Sequence, residues 1–278
     1  LFGLTNEEGN HGEDVKECYY YLDSTPTHSY TKALYKYPHA KYPYTEIREK
    51  NELLGRTGPE LELADMGMFE NGRYFDVLQE VAKRSPEDLL WRITVTNHGA
   101  VAAPVHVLPT LWFRNEWSWE SHREAPVRKP VIHGRGGHLE AWHETLGDYR
   151  FLAECTNHRH RAKWLFTENE SNLESLAGEP NKTPHVKDAF HRFLIHGEKK
   201  AVSPAPSGTK AAAHFTFNIP PGKSVVIRCR LHKNGETNGF EGFDDFDETF
   251  AGRIAECEEV YEETIPKGIS PDERLICR

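Results

Sequence analysis

The sequence predicts a mainly β protein, an antiparallel two-sheet β-sandwich with a C-terminal amphipathic helix. Three observations predict it. Period-two alternation runs through Leu89–Thr96, with Leu89, Trp91, Ile93 and Val95 on one face and Arg92, Thr94 and Thr96 on the other. The same alternation flanks Pro220-Pro221-Gly222-Lys223, with Phe215, Phe217 and Ile219 before it and Val225, Ile227, Cys229 and Leu231 after it. Near the end, Phe243, Phe246, Phe250, Ile254, Cys257 and Tyr261 recur at helical spacing, with acidic residues between them. Many short strands with regular turn signals favour a sandwich over a barrel.

The elements follow in order. Cys18–Leu22 reads as extended. Residues 31–62 form a Tyr/Pro/Lys-rich excursion, read as a loop carrying one short helix near Tyr44–Leu54. Asn71-Gly72, between Met66–Phe69 and Tyr74–Val81, gives the signal of a type I′ hairpin. Ser85-Pro86-Glu87-Asp88 and Asn97-His98-Gly99 punctuate the strand at 89–96. Val105–Arg114 follows as one strand with Val105, Val107, Leu111 and Phe113 on one face. Tyr149–Cys155, Lys163–Thr167 and Phe190–His196 also read extended, and the two strands around Pro220–Lys223 read as a β-hairpin. The long helix spans about Asp244–Thr264, and Pro266 and Gly268 stop it. Ser270-Pro271-Asp272-Glu273 has the signature of a further helix start, with Ser270 as cap. That helix is too short to stand alone, and the chain starts Leu1-Phe2-Gly3 without Met. The sequence is therefore expected to be a piece of a longer protein.

Composition excludes several classes. The 278 residues suit one large domain or two small ones, and 11% aromatic residues exclude a disordered chain. Acids outnumber bases by 43 to 34, a net charge of −9 that disfavours a nucleic-acid partner. The longest apolar run, Ala100–Pro109, is broken by His106 and two prolines, so no membrane helix is expected. Five scattered cysteines without a C-x-x-C pair fit reduced thiols and a cytoplasmic location rather than disulfides or a zinc knuckle. Two glycosylation triplets occur, at Asn169-Glu170-Ser171 and Asn181-Lys182-Thr183.

Four constellations could carry chemistry. Residues 5–14 are dense in glycine and polar groups, including Asn10, His11 and Glu13; such a segment fits sugar hydroxyls or a solvated loop. Residues 111–119 hold Trp112, Trp117 and Trp119 with Arg114, Asn115 and Glu116. Indole faces stack on sugar C–H faces, and they equally cap a core edge or a domain interface. His158-Arg159-His160 and His133, His138 and His143 invite a metal reading, but no third ligand is placed with them, and exposed loop histidines are the plainer reading. Glu168 and Glu170, and Asp244-Asp245, supply acid pairs of the kind glycoside hydrolysis needs. No G-x-S-x-G, P-loop or dinucleotide fingerprint is present.

Several long strings carry a resemblance. They are Leu1–Asn6 with Glu8–Glu17, Tyr21–Tyr30, Val107–Asn115, Leu165–Glu170 and Gly208–His214. Over the whole chain they resemble the N-terminal region of glycoside hydrolase family 63 proteins, the relatives of the mannosyl-oligosaccharide-trimming α-glucosidase. The resemblance implies a sandwich of the glycosidase N-terminal, galactose-mutarotase-like kind at 1–240. Residues 241–278 would then be a linker helix and the start of an (α/α)6 catalytic domain. It further implies an inverting Asp/Glu pair beyond Arg278, no catalytic residue in this chain, and no cofactor or metal. The expected partners are an oligosaccharide, through the parent enzyme, and the (α/α)6 domain. Asn10, His11, Glu13, Trp112, Arg114, Trp117 and Trp119 are the candidates for the rim of the sugar pocket or the domain interface. A free-standing carbohydrate-binding sandwich and an aldose-epimerase-like enzyme are the alternatives.

Overall fold

The computed structural model describes residues 18–55, 58–118, 128–157, 161–235 and 242–278. Strands β1 (Cys18–Ser24), β2 (Tyr30–Pro38), β3 (Tyr74–Ser85) and β4 (Asp88–Asn97) form a meander. Then come β5 (Ala103–Val107), β6 (Thr110–Trp112), β7 (Val131–Arg135), β8 (His138–His143), β9 (Gly147–Cys155) and β10 (Lys163–Thr167). The set ends with β11 (Ser207–Gly208), β12 (Lys210–Ile219) and β13 (Ser224–Lys233). All described pairings are antiparallel, in a nine-stranded sheet ordered β1-β2-β3-β4-β13-β9-β8-β7-β11 and a four-stranded sheet in which β12 pairs β10, β5 and β6.

The two sheets meet face to face. Phe75, Ile93, Val95, Ile132, Leu139, Phe151 and Ile227 from the large sheet pack against Val105, Phe166, Phe215, Phe217 and Ile219 from the small one. Each fully buried side chain of this size contributes about 1.5–3 kcal/mol relative to exposure. The alternation read at 89–96 survives here: Ile93 and Val95 face inward, and Trp91 packs at the edge of the same core.

Helices cover part of each outer face. Helix α1 (Tyr44–Leu54) lies between β2 and β3, α2 (Leu173–Ala177) and α3 (Ala189–Ile195) precede β11, and α4 (Phe246–Thr264) and α5 (Pro271–Ile276) follow β13. Phe190 and Phe193 of α3 close the small sheet over Leu165 and Ala212. Helix α4 lies on the large sheet, where Phe246, Phe250 and Cys257 bury Tyr30, Ala82 and Leu90. So the face expected to be polar and half-exposed is covered, and the Arg92 guanidinium sits 4.3 Å from the Phe250 ring centroid.

A buried ion network fixes α4. Arg230 is 1% exposed and grips Asp88 with two hydrogen bonds, Nε to Oδ1 at 2.9 Å and Nη2 to Oδ2 at 2.6 Å. Its Nη1 reaches Asp245 Oδ1 at 2.7 Å and the Gly242 carbonyl at 3.0 Å. Arg84 Nε adds a contact to Asp245 Oδ2 at 2.6 Å. Asp245 is the residue at the N-terminus of α4, and its side chain makes no capping bond; it serves the network instead. Helix α5 carries the Ser270 cap expected from the sequence, and the structure adds its reciprocal partner: Ser270 Oγ accepts from Glu273 N while Glu273 accepts from Ser270 N.

Five expectations need correction. The segments around Pro220–Lys223 are strands but not a hairpin: β12 belongs to the small sheet and β13 to the large one. Buried Asn97 pins that crossing, donating from Nδ2 to the Ile219 and Val101 carbonyls at 2.7 and 2.8 Å, while its carbonyl accepts from Gly222 N at 2.9 Å. Asn71 and Gly72 do take positive φ, but the residues before them form 3-10 turns rather than a strand, so no hairpin arises there. Residues 30–38 are strand β2 rather than loop, because they pair residue by residue with β3, from Tyr30 opposite Ala82 to Pro38 opposite Tyr74. Pro109 lies between β5 and β6 and splits the strand read at 105–114. Phe190–His196 is helical: a short segment whose apolar residues are Phe190, Phe193, Leu194 and Ile195 does not declare its period, and packing on the small sheet decides it.

Arg230→Met leaves the buried Asp88 and Asp245 to share Arg84 as their one remaining cation. It is expected to cost about 3–5 kcal/mol, read from urea unfolding, with faster amide exchange in α4.

Candidate functional site

The site is assembled at one end of the small sheet by a close backbone approach. A Cβ on Gly208 would lie 2.2 Å from the Thr167 carbonyl oxygen, so only glycine lets the chain pass there. That passage sets Thr209 beside residues 168–170. Thr209 Oγ1 donates to Glu168 Oε2 at 2.7 Å and accepts from Asn169 N at 2.8 Å. Asn169 Nδ2 donates to the Phe113 carbonyl at 2.8 Å, which ties the tryptophan-bearing segment to the same point.

Four side chains then converge. Trp117 Nε1 donates to Glu170 Oε1 at 2.8 Å. Lys129 Nζ lies 3.1 Å from Glu170 Oε1 and 3.1 Å from Glu168 Oε2, and 5.8 Å from the Trp117 ring centroid. Burial raises the Glu170 pKa, but the Trp117 and Lys129 hydrogen bonds outweigh it, so the carboxyl is held below its usual range. Burial opposes the charge of Lys129, and its hydrogen bond to Glu170 with the charge of Glu168 holds the ammonium above its usual range. The cluster is an ionised clamp. A general acid for glycoside hydrolysis needs a raised pKa, and this carboxyl is shifted the other way.

The sequence candidates fall into three groups. Trp117 is in the clamp, joined to the acid pair at 168–170. Trp112 lies on β6 opposite Lys210 of β12, with its indole 55% exposed, and Arg114 projects outward 3.9 Å from Glu116. Asn10, His11, Glu13 and Trp119 lie outside the described residues, as do His158 and His160. Sequence reasoning missed Lys129 and Thr209, which lie far from Glu168 and Glu170 along the chain and carry no motif.

The histidines are placed differently from the expectation of exposed loops. His133, His138 and His143 lie on strands β7 and β8, with His133 opposite Glu140 and His143 stacked 5.5 Å from Phe113. Among the described residues, no three or more of His, Cys, Asp and Glu converge to hold a metal ion. Asp244-Asp245 is not an exposed pair, since Asp245 is in the Arg230 network. The glycosylation triplets have structural work: Asn169 is buried on Phe113, and Asn181 Oδ1 accepts from Leu173 N at the start of α2. Among the described residues no helix is long and apolar enough to cross a membrane.

Comparison with known proteins adds the following. No family model matches the chain. The chain is 36% identical over 316 aligned positions to the uncharacterized protein YMR196W of Saccharomyces cerevisiae. The match covers 100% of this chain and 29% of the yeast protein, so the chain spans less than a third of that relative. Among solved structures, a polysaccharide lyase matches 64% of this chain and 22% of its own, at 13% identity and a TM-score of 0.32. A putative aldose 1-epimerase from Escherichia coli K12 matches 76% of this chain and 67% of its own, at 12% identity and a TM-score of 0.32. Superpositions this loose carry no argument about activity.

The clamp predicts a pH dependence. A carboxyl whose folded pKa is depressed contributes stability that is present above its ordinary value of 4.5 and lost as pH falls through the folded value. Glu170→Gln is therefore expected to be less stable than the wild type at pH 7. The gap should narrow below pH 4.5 and close once Glu170 is protonated in the folded protein, as read from denaturant midpoints across that range.

Proposed function

We propose that this chain is the non-catalytic β-sandwich portion of an inverting α-glycosidase, glucosidase-like and acting on oligosaccharides. The observation that carries the reading is the clamp itself. Trp117, Lys129, Glu168 and Glu170 form an aromatic and polar cluster of the kind that holds sugar hydroxyls, yet its carboxyl Glu170 is fixed as an anion. A cluster of that kind positions and does not protonate. The family 63 resemblance of five separate strings supports the same assignment, as does a yeast relative more than three times as long as the matched segment. In this reading Trp112, Arg114 and Trp117 belong to the rim of the sugar pocket or to the interface with an (α/α)6 domain. The acid–base pair belongs to that domain.

A second reading, a free-standing carbohydrate-binding sandwich, is favoured by the exposed indole of Trp112. Titration of the 278-residue chain with gluco-oligosaccharides separates the two, since saturable heat without hydrolysis supports binding alone. A mutarotation assay on glucose and galactose decides the aldose-epimerase-like alternative.

The main test uses the full-length protein. It is expected to release glucose from α-linked oligosaccharides with inversion, followed by NMR of the fresh anomer, while the 278-residue chain alone releases none. Trp117→Phe, which loses the indole N–H but keeps an aromatic ring, should raise KM about threefold to tenfold with kcat little changed, the signature of a lost positioning contact. Hydrolysis by the 278-residue chain alone, or unchanged KM and kcat in the variant, overturns the proposal.

A further inference from the structure

The outer face of the small sheet carries a second cluster that the clamp does not use. His106 stands on β5 and is exposed; His214 and Thr216 stand on β12, two residues apart and so on one face. Antiparallel pairing sets Thr216 directly opposite His106, with His214 on the diagonal. Three donor atoms converge as a result. His106 Nδ1 lies 2.7 Å from His214 Nε2, and Thr216 Oγ1 lies 3.4 Å from the first and 3.3 Å from the second. The imidazole rings are 5.0 Å apart, tilted by 31°.

We infer that His106, His214 and Thr216 form a surface site for a divalent transition metal of tetragonal preference, of the copper(II) or nickel(II) class. The inference is independent of the carbohydrate reading. Its basis is geometric. At a metal–nitrogen distance of about 2.0–2.1 Å, two ligands in adjacent tetragonal positions are about 2.9 Å apart, and tetrahedral ligands about 3.3 Å. The 2.7 Å between the two imidazole nitrogens is a hydrogen bond in the free protein, and the pair needs to open less to reach the tetragonal spacing than the tetrahedral one. The metal replaces the N–H···N hydrogen bond between the rings. Each facing nitrogen then donates a lone pair, and the outer ring nitrogens carry the protons. Thr216 Oγ1 completes a triangle of donors, and water takes the remaining positions. Lys163, opposite His214 across the β10–β12 pair, directs its ammonium over the Phe193 ring, 5.6 Å from the centroid. The two imidazoles are set by core residues: Val105 and Val107 flank His106, and Phe215 and Phe217 alternate with His214 and Thr216. Such a site is exchangeable, because its mouth is the solvent-facing side of a sheet.

The protein has sixteen histidines, so binding alone does not locate the site. The probe is copper(II), added to tag-free, chelator-stripped protein. One equivalent is expected to bind, with a paramagnetic resonance spectrum showing coupling to two imidazole nitrogens. His106→Asn and His214→Asn should each weaken that binding by more than about tenfold and remove one nitrogen coupling. His143→Asn, outside the cluster, should leave both unchanged. Modification of wild-type protein with diethylpyrocarbonate, mapped by mass spectrometry, provides a check that needs no variant. Copper(II) should protect His106 and His214. Unchanged affinity and spectrum in both cluster variants, or modification of the pair unaffected by copper(II), overturns the inference.

Discussion

Arg230 and its two aspartates hold the molecule's least obvious contact. The large sheet must cover two faces, and only one is met by the small sheet. The other is met by helix α4, the next regular element after β13, which begins at Phe246 after the strand ends at Lys233. A helix laid on a sheet by apolar contacts alone can slide or rotate. Arg230 removes that freedom, because its planar fork grips Asp88 on the sheet while Nη1 holds Asp245 at the helix start. Arg84 balances the second aspartate, so the buried site carries two cations and two anions. Its value is orientation more than energy, since the desolvation cost of buried ions offsets much of their attraction.

The rows of the sheet show how that orientation propagates. Tyr30, Ala82, Leu90 and Arg230 are direct neighbours across β2, β3, β4 and β13. The next row runs Lys32, Glu80, Arg92, Arg228 and Glu154. Helix α4 sits on the first row with Phe246 and Phe250, and the cations of the second row lie against its aromatic rings. Glu80 is held ionised under this cover: burial opposes its charge, and Arg92 and the Tyr30 hydroxyl together outweigh burial. Apolar cover and paired charge are thus interleaved, and neither could be removed without exposing the other.

Much of this was legible in the sequence, and the failures share a cause. Period-two patterning located β4, β9, β10, β12 and β13, helical spacing located α4, and Ser270 with Glu273 announced α5. Strand existence is written locally. Strand partnership is not: β12 and β13 have a tight turn and alternating faces, yet Asn97, far away in sequence, sends them to different sheets. The face of β4 that carries Arg92 reads as polar because nothing local says that a helix more than a hundred residues later will cover it. At the site, Trp117 and Glu170 each drew notice, one for its indole and one for its carboxylate. Their pairing depends on Gly208 and Thr209, whose role is a backbone approach that no residue pattern encodes.

Under the proposed function, the clamp and the ion network bear on how a sandwich of this kind could serve chemistry without performing it. Positioning demands groups whose charge does not change as substrate arrives. Catalysis demands groups whose protonation does change, near the working pH. Glu170 satisfies the first demand. Its anion is fixed by an indole N–H and by an ammonium that also contacts Glu168, so the Glu170 carboxylate does not readily take up a proton. Rigid strands and a close glycine contact then locate the cluster at the end of the small sheet, next to an exposed tryptophan strand. Physical economy favours this division, because a fold that must hold two sheets and a helix by buried charge pairs has little tolerance for a titrating group in its support. Under the same proposal, chemistry requiring such a group belongs to the (α/α)6 domain, whose core does not depend on this cluster.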